Sequence, residues 1–161
     1  MELGLETLKD LQALRPEGVE TEVFALGRLP LAYSARCYTA RSHNLPKDDC
    51  QFKCIDYPDG RMLETQEDQE FLVLNGIQTQ SALTHQVLEE IPKLNTLGVD
   101  VLRISPQYSG MLRIIDIFHS ALNNNNLEAL SKELLEVLPH GACNGYLVEK
   151  AGMDYGHQQT A

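Results

Sequence analysis

The sequence predicts an α/β fold with parallel strands. Four segments carry apolar residues at helical spacing, short apolar runs bounded by turn formers fall between them, and the two kinds alternate along 161 residues. That length suits one domain with a real core, and no internal repeat is visible. An open doubly wound sheet and part of a (β/α)8 barrel both satisfy this order. A whole barrel does not, because it takes about 250 residues.

The first helix is expected over residues 4–15, with Leu5, Leu8 and Leu11 on one face. A strand follows at 20–26, stopped by Gly27. A polar loop covers 34–60 and closes on the turn signal Pro58-Asp59-Gly60. Phe71–Leu74 is a short buried strand that ends at Asn75-Gly76. Leu83, Val87, Ile91 and Leu94 predict a helix over 81–95, kinked or shortened at Pro92 and stopped by Gly98. Val99–Ile104 is a strand ended by Ser105-Pro106. Met111, Ile115, Phe118 and Leu122 mark the next helix, and Leu127, Leu130, Leu134 and Leu138 mark the last. Asn123–Asn126 forms the turn and cap between those two. From Gly141 the chain is a polar tail, expected to be loosely ordered, with Tyr155, Gly156 and His157 near its end.

Apolar residues make up 43% and charged residues 22%, the ordinary balance of a soluble domain. The net charge of -10 argues against general nucleic-acid binding, which needs a basic face. No apolar run approaches a membrane span, and the acidic start Met-Glu-Leu-Gly-Leu-Glu-Thr is no secretory leader. The expected compartment is the cytoplasm.

Three of the four cysteines sit within eighteen residues, as Cys37-x12-Cys50-x3-Cys54. Thiolates are soft ligands that select zinc, copper(I) or iron–sulfur clusters. In a reducing compartment, clustered cysteines bind metal or do redox work more often than they form disulfides. The intervening segment is rich in turn formers, so Cys37 can curl back beside the pair. The loop leaves the carboxyl end of a strand, where α/β folds place their sites. The x3 spacing puts Cys50 and Cys54 in one turn. His43 lies inside the loop, and three thiolates with one imidazole would make a zinc site. Arg36, Arg41, Lys47 and Lys53 surround the cysteines and would favour thiolate over thiol, Arg36 and Arg41 most.

Other candidates read as structural. His85 falls between core-facing helix positions and reads as a surface residue, while His119 beside Phe118 reads as packed. Asp100 and Asp116 read as exposed charges. Gly76 and Gly110 make no phosphate-binding pattern. Ser34, Ser42 and Ser105 have no recognisable base, and neither a G-x-S-x-G elbow nor an H-E-x-x-H helix is present.

The stretch from Gly27 to Cys50, followed by Gln-Phe-Lys-Cys54, resembles the peptidase U32 family, and within it the UbiV-type branch of ubiquinone biosynthesis. Residues 71–106 and Cys143-Asn-Gly-Tyr146 read like the same family. The resemblance implies a TIM-like (β/α) barrel, of which this chain corresponds to the C-terminal part. Residues 1–140 would then be a partial barrel carrying the cysteine loop, and 141–161 a C-terminal tail. It further implies a [4Fe–4S] cluster on Cys37, Cys50 and Cys54, a heterodimer with a sister U32 protein (UbiU-like), and oxygen-independent hydroxylation of the ubiquinone ring. It names no catalytic residue. The family's fourth cluster ligand lies near the start of its members, in a segment without a counterpart here. Cys143 is the remaining thiol that could replace it. A U32-type peptidase and a zinc-stabilised binding module are the alternative expectations.

Overall fold

A computed structural model describes residues 4–123 and 126–156, the side chain of Lys47 apart. Helix α1 (Leu5–Leu14) ends where Arg15 turns extended ahead of Pro16, as the residue before a proline must. Strand β1 (Glu22–Tyr33) leads into the short helix α2 (Tyr38–Ser42), and two 3-10 turns follow at Lys47–Asp49 and Lys53–Asp56. Strands β2 (Arg61–Glu64), β3 (Glu70–Asn75) and β4 (Gln78–Gln86) come next, then a 3-10 turn at Leu88–Glu90 running into α3 (Ile91–Thr96). Strand β5 (Val101–Ile104), α4 (Met111–Leu122), α5 (Leu127–Val137) and the two-residue β6 (Ala142–Cys143) complete the order.

The strands hydrogen-bond as one mixed, open sheet in the order β2-β3-β4-β1-β5, with β6 beside β4. The β1–β5 ladder carries the expected parallel geometry. The β2–β3 and β3–β4 ladders are antiparallel, so the all-parallel expectation is corrected there. Among the described residues the sheet is not closed, and a TIM-like barrel is not shown.

The reason is a hairpin. Asn75 pairs with Gln78 across the two-residue turn Gly76-Ile77, and Gly76 takes the left-handed conformation such turns need (φ 62°). Asn75-Gly76 is therefore a hairpin signal and not merely a strand end. It turns residues 78–86 into β4, where the apolar period had predicted helix from 81. Val87, Ile91 and Leu94 are buried as that period required, while Leu83, on the strand, is only half-buried, and helix begins only after the strand. Pro92 sits in the first turn of α3, where its missing N–H costs nothing, so it starts the helix instead of kinking it.

Residues fall into two compact units, Met1–Gly27 with His85–Ala161, and Arg28–Thr84. The first unit has the large core. Leu8, Ala25, Leu26, Val87, Leu88, Ile91 and Leu94 pack with Ile114, Ile117, Phe118, Ala121, Leu134, Leu138 and Leu147. In α4 the buried stripe is Ile114, Ile117, Phe118 and Ala121, shifted from the expected one, so Ile115 and Leu122 are exposed. Asn126 caps α5 through its side chain, which accepts from the Ala129 N–H at 3.3 Å. Arg15 pairs with Asp100, whose carboxylate also accepts the Thr21 N–H at 2.8 Å. Those two partners, Thr21 first, hold the Asp100 carboxyl below its ordinary range. Asp100 is thus a tie for the start of β5.

The polar segment after Gly141 is built into this unit. Leu147 is buried and its carbonyl accepts the Leu5 N–H at 3.1 Å. Asn144, 1% exposed, accepts the Gly156 N–H on Oδ1 at 2.6 Å. The Tyr155 hydroxyl donates to Glu89 at 2.8 Å, accepts from Gln86 at 2.5 Å and lies 3.3 Å from Ser131. Burial, with the Glu89 carboxylate adding to it, pushes that phenol above its ordinary range. These bonds replace the expectation of loose order. His157 lies outside the described residues.

The second unit is a sheet segment bearing the cysteine loop. Gly76 and Ile77 anchor the loop's start, accepting the Tyr38 and Ser34 N–H groups at 2.8 Å each. Among the described residues, no helix is long and apolar enough to cross a membrane.

Candidate functional site

The thiol segment lies within the second unit, beginning just after the carboxyl end of β1. Cys37 caps α2. Its backbone is extended (φ -71°, ψ 113°), and its sulfur accepts the Ala40 N–H at 3.4 Å. Sulfur is a weak acceptor, so this bond orients the thiol without tying it up. Cys50 ends the first 3-10 turn and Cys54 lies in the second. The two are therefore on successive turns and not in one. Between them Gln51 and Phe52 both adopt φ 51°, in the left-handed region. Such a conformation costs about 1–2 kcal/mol per residue for a side chain with a Cβ. Two in a row between two cysteines form a strained joint, and strain of this kind collects at functional sites.

All three thiols are half-buried, and none of the four cysteines forms a disulfide. Cys143 is buried on β6, in the first unit. Among the described residues, no group of three His, Cys, Asp or Glu side chains stands ready to hold a metal ion. The donor set itself has the right chemistry. Three soft ligands occupy one segment of one unit, and α2 with Cys37 at its start packs on the turn that carries Cys54. Cys37, Cys50 and Cys54 are the residues that could offer soft donors to a metal ion or cluster.

The cations are distributed unevenly. Arg36 and Arg41 are exposed, and Lys53 pairs with Asp56 at 3.4 Å. The Lys47 side chain lies outside the described residues. His43 is exposed, and its Nε2 lies 3.1 Å from the Tyr57 hydroxyl, so zinc ligation through that nitrogen would have to displace this contact. Tyr57 and Arg61 complete a cluster the sequence did not single out. The Arg61 guanidinium lies 5.1 Å above the Tyr57 ring and donates to Ser42. Only their closeness to Cys54 in sequence could have drawn attention to them.

The serines are otherwise engaged. Ser34 accepts the Arg36 N–H at 3.1 Å, and Ser42 donates to the Thr39 carbonyl at 2.7 Å. Ser105 closes β5 by donating its N–H to the Leu26 carbonyl at 2.7 Å. His119 and Asp116 are exposed on α4, so the packed reading of His119 is corrected. Gly110 caps α4 with φ 73°.

His85 is the other correction. It lies on β4, only 2% exposed, with its ring 6.0 Å from Phe24. Burial pushes its pKa down to about 4, against a smaller upward pull from the Phe24 backbone. The folded protein thus holds this ring neutral while the unfolded chain takes a proton near the ordinary value of about 6.5. Stability is fully present above about pH 6.5 and is lost as pH falls toward 4, by about 3 kcal/mol in all. Urea unfolding at steps between pH 7 and pH 4.5 checks this. His85→Gln is expected to flatten the slope relative to the native chain, and an unchanged slope would assign it to other groups.

These features define a mixed α/β protein with a small thiol-bearing unit inserted between the two parts of a larger one. Residues 1–156 match the model of peptidase family U32, and the chain belongs to that family. No solved structure matches it.

Proposed function

We propose that this U32 member is an iron–sulfur protein of the UbiV type. In this reading Cys37, Cys50 and Cys54 hold a [4Fe–4S] cluster. The chain then acts with a sister U32 protein, UbiU-like, as a heterodimer in oxygen-independent hydroxylation of the ubiquinone ring. The observation that carries the reading is the grouping of three cysteines in one short segment. Three half-buried thiols share one strained segment of one unit, while the fourth is buried on β6 of the other. A bound cluster would supply one-electron transfer. The chain's part is to supply soft donors and keep Arg36 and Arg41 near a net negative group. The cytoplasm, where thiols stay reduced, suits this chemistry.

Purification under argon, followed by reconstitution with iron and sulfide, tests the reading. The expected product is brown, with broad absorbance near about 400 nm and iron and sulfide in equal amounts. A colourless protein that takes up zinc alone would support the zinc-stabilised module. Cleavage of a denatured peptide substrate by metal-free protein would support a peptidase.

A further inference from the structure

We propose that His43, Tyr57 and Arg61 form a clasp that positions Cys37 against Cys54. This rests on the iron–sulfur reading above, but its geometry stands by itself. Each cysteine shares one short, stiff element with one clasp residue. Cys37 is the N-cap of α2 and His43 is its C-cap. Cys54 lies in the Lys53–Asp56 turn and Tyr57 is that turn's C-cap, its N–H donating to the Cys54 carbonyl at 3.1 Å. The bond between His43 Nε2 and the Tyr57 hydroxyl, 3.1 Å, therefore links the two thiol carriers end to end. The rings lie 5.8 Å apart and tilted by 40°, so they pack as well as bond.

Arg61, on β2, closes the circuit. Its guanidinium covers the Tyr57 ring at 5.1 Å and donates to Ser42, which in turn donates to the Thr39 carbonyl at 2.7 Å. One cation thus holds the last turn of α2 and the Tyr57 ring together. The contacts are largely exposed, so they add little to global stability. Their physical effect is orientational. They restrict two short turns to one relative pose, and donors already in place bind faster and release more slowly than donors that must be ordered first. His43, Tyr57 and Arg61 are positioning residues in this scheme, and none of them is a ligand.

The test separates thiol geometry from cluster chemistry. In metal-free protein carrying Cys50→Ser, dibromobimane fluoresces when it bridges Cys37 and Cys54. Tyr57→Phe and His43→Leu are expected to cut the bridging rate about fivefold to tenfold, the weight of one hydrogen bond. His43→Gln, which keeps an amide donor for the Tyr57 hydroxyl, is expected to restore most of it. In the native cysteine background, the same losses should shorten the half-life of bound iron under chelator by a similar factor, with the melting temperature unchanged. Unchanged bridging in Tyr57→Phe and His43→Leu overturns the clasp, whatever the iron content. So does a loss that tracks a lowered melting temperature in every variant, His43→Gln included. Bridging that depends on the clasp in a protein that takes up no iron keeps the clasp and removes the iron–sulfur reading.

Discussion

Cys50→Ser and Cys54→Ser are each expected to lose nearly all iron and sulfide after reconstitution under argon, while Cys143→Ser stays close to the native content. Serine offers a hard, weakly acidic oxygen where an iron–sulfur cluster would require a soft thiolate. Cys50 and Cys54 flank the left-handed pair Gln51-Phe52, so losing either removes one of two donors set on adjoining turns. Cys143 is 1% exposed on β6 and belongs to the other unit. Its replacement disturbs packing in the first unit and should show as a modest loss of stability. Iron and sulfide assays on the three variants decide the matter. Retention of iron by Cys50→Ser and Cys54→Ser would end the cluster assignment. Equal loss in all three would make Cys143 the fourth ligand.

Gly27→Ala is expected to destabilise the first unit by about 2–4 kcal/mol, among the larger effects of a single methyl group. Gly27 holds φ at 139°, which a residue with a Cβ adopts only under strain. The added carbon would also fall 2.5 Å from the Ser105 Cβ and 2.9 Å from the Phe24 ring. The strand passes this point just after the register slips between Phe24 and Leu26 against β5, so there is no slack to absorb the shift. Thermal melting and urea titration would read the loss. Gly18→Ala is the control, because a Cβ there meets nothing within 4 Å although its φ is also positive, at 78°. Equal losses at both positions would assign the effect to backbone strain alone.

Gly27 also illustrates how far the sequence could be read. A glycine after an apolar run predicts a stop, and the strand does leave its β5 partner there. It nevertheless continues to Tyr33, because glycine serves a close approach at that point and not a chain reversal. Residues 81–86 misled for a different reason. Leu83, Val87, Ile91 and Leu94 fit a helical period, but the turn at Gly76-Ile77 commits the chain to pairing with β3 before the helix can start. His85 moved with it, from a helix surface to a buried strand position. The clustering of Cys37, Cys50 and Cys54 in one segment was legible because it is written in residue type and spacing. Its clasp was not, since Arg61 reaches Ser42 across nineteen positions of sequence.

The sequence by itself determined the mixture of helices and strands, much of the apolar core, the cap at Asn126 and the three thiols of one segment. Each follows from local chemistry: side-chain size, period, capping oxygen and residue spacing. Only the tertiary structure decided that the sheet is mixed and open, that His85 and Cys143 are buried, and that Tyr155 meets Gln86, Glu89 and Ser131. Those depend on which segments pair after the chain reverses. A two-residue hairpin turn and the ladder it starts outweigh any periodicity confined to one strand.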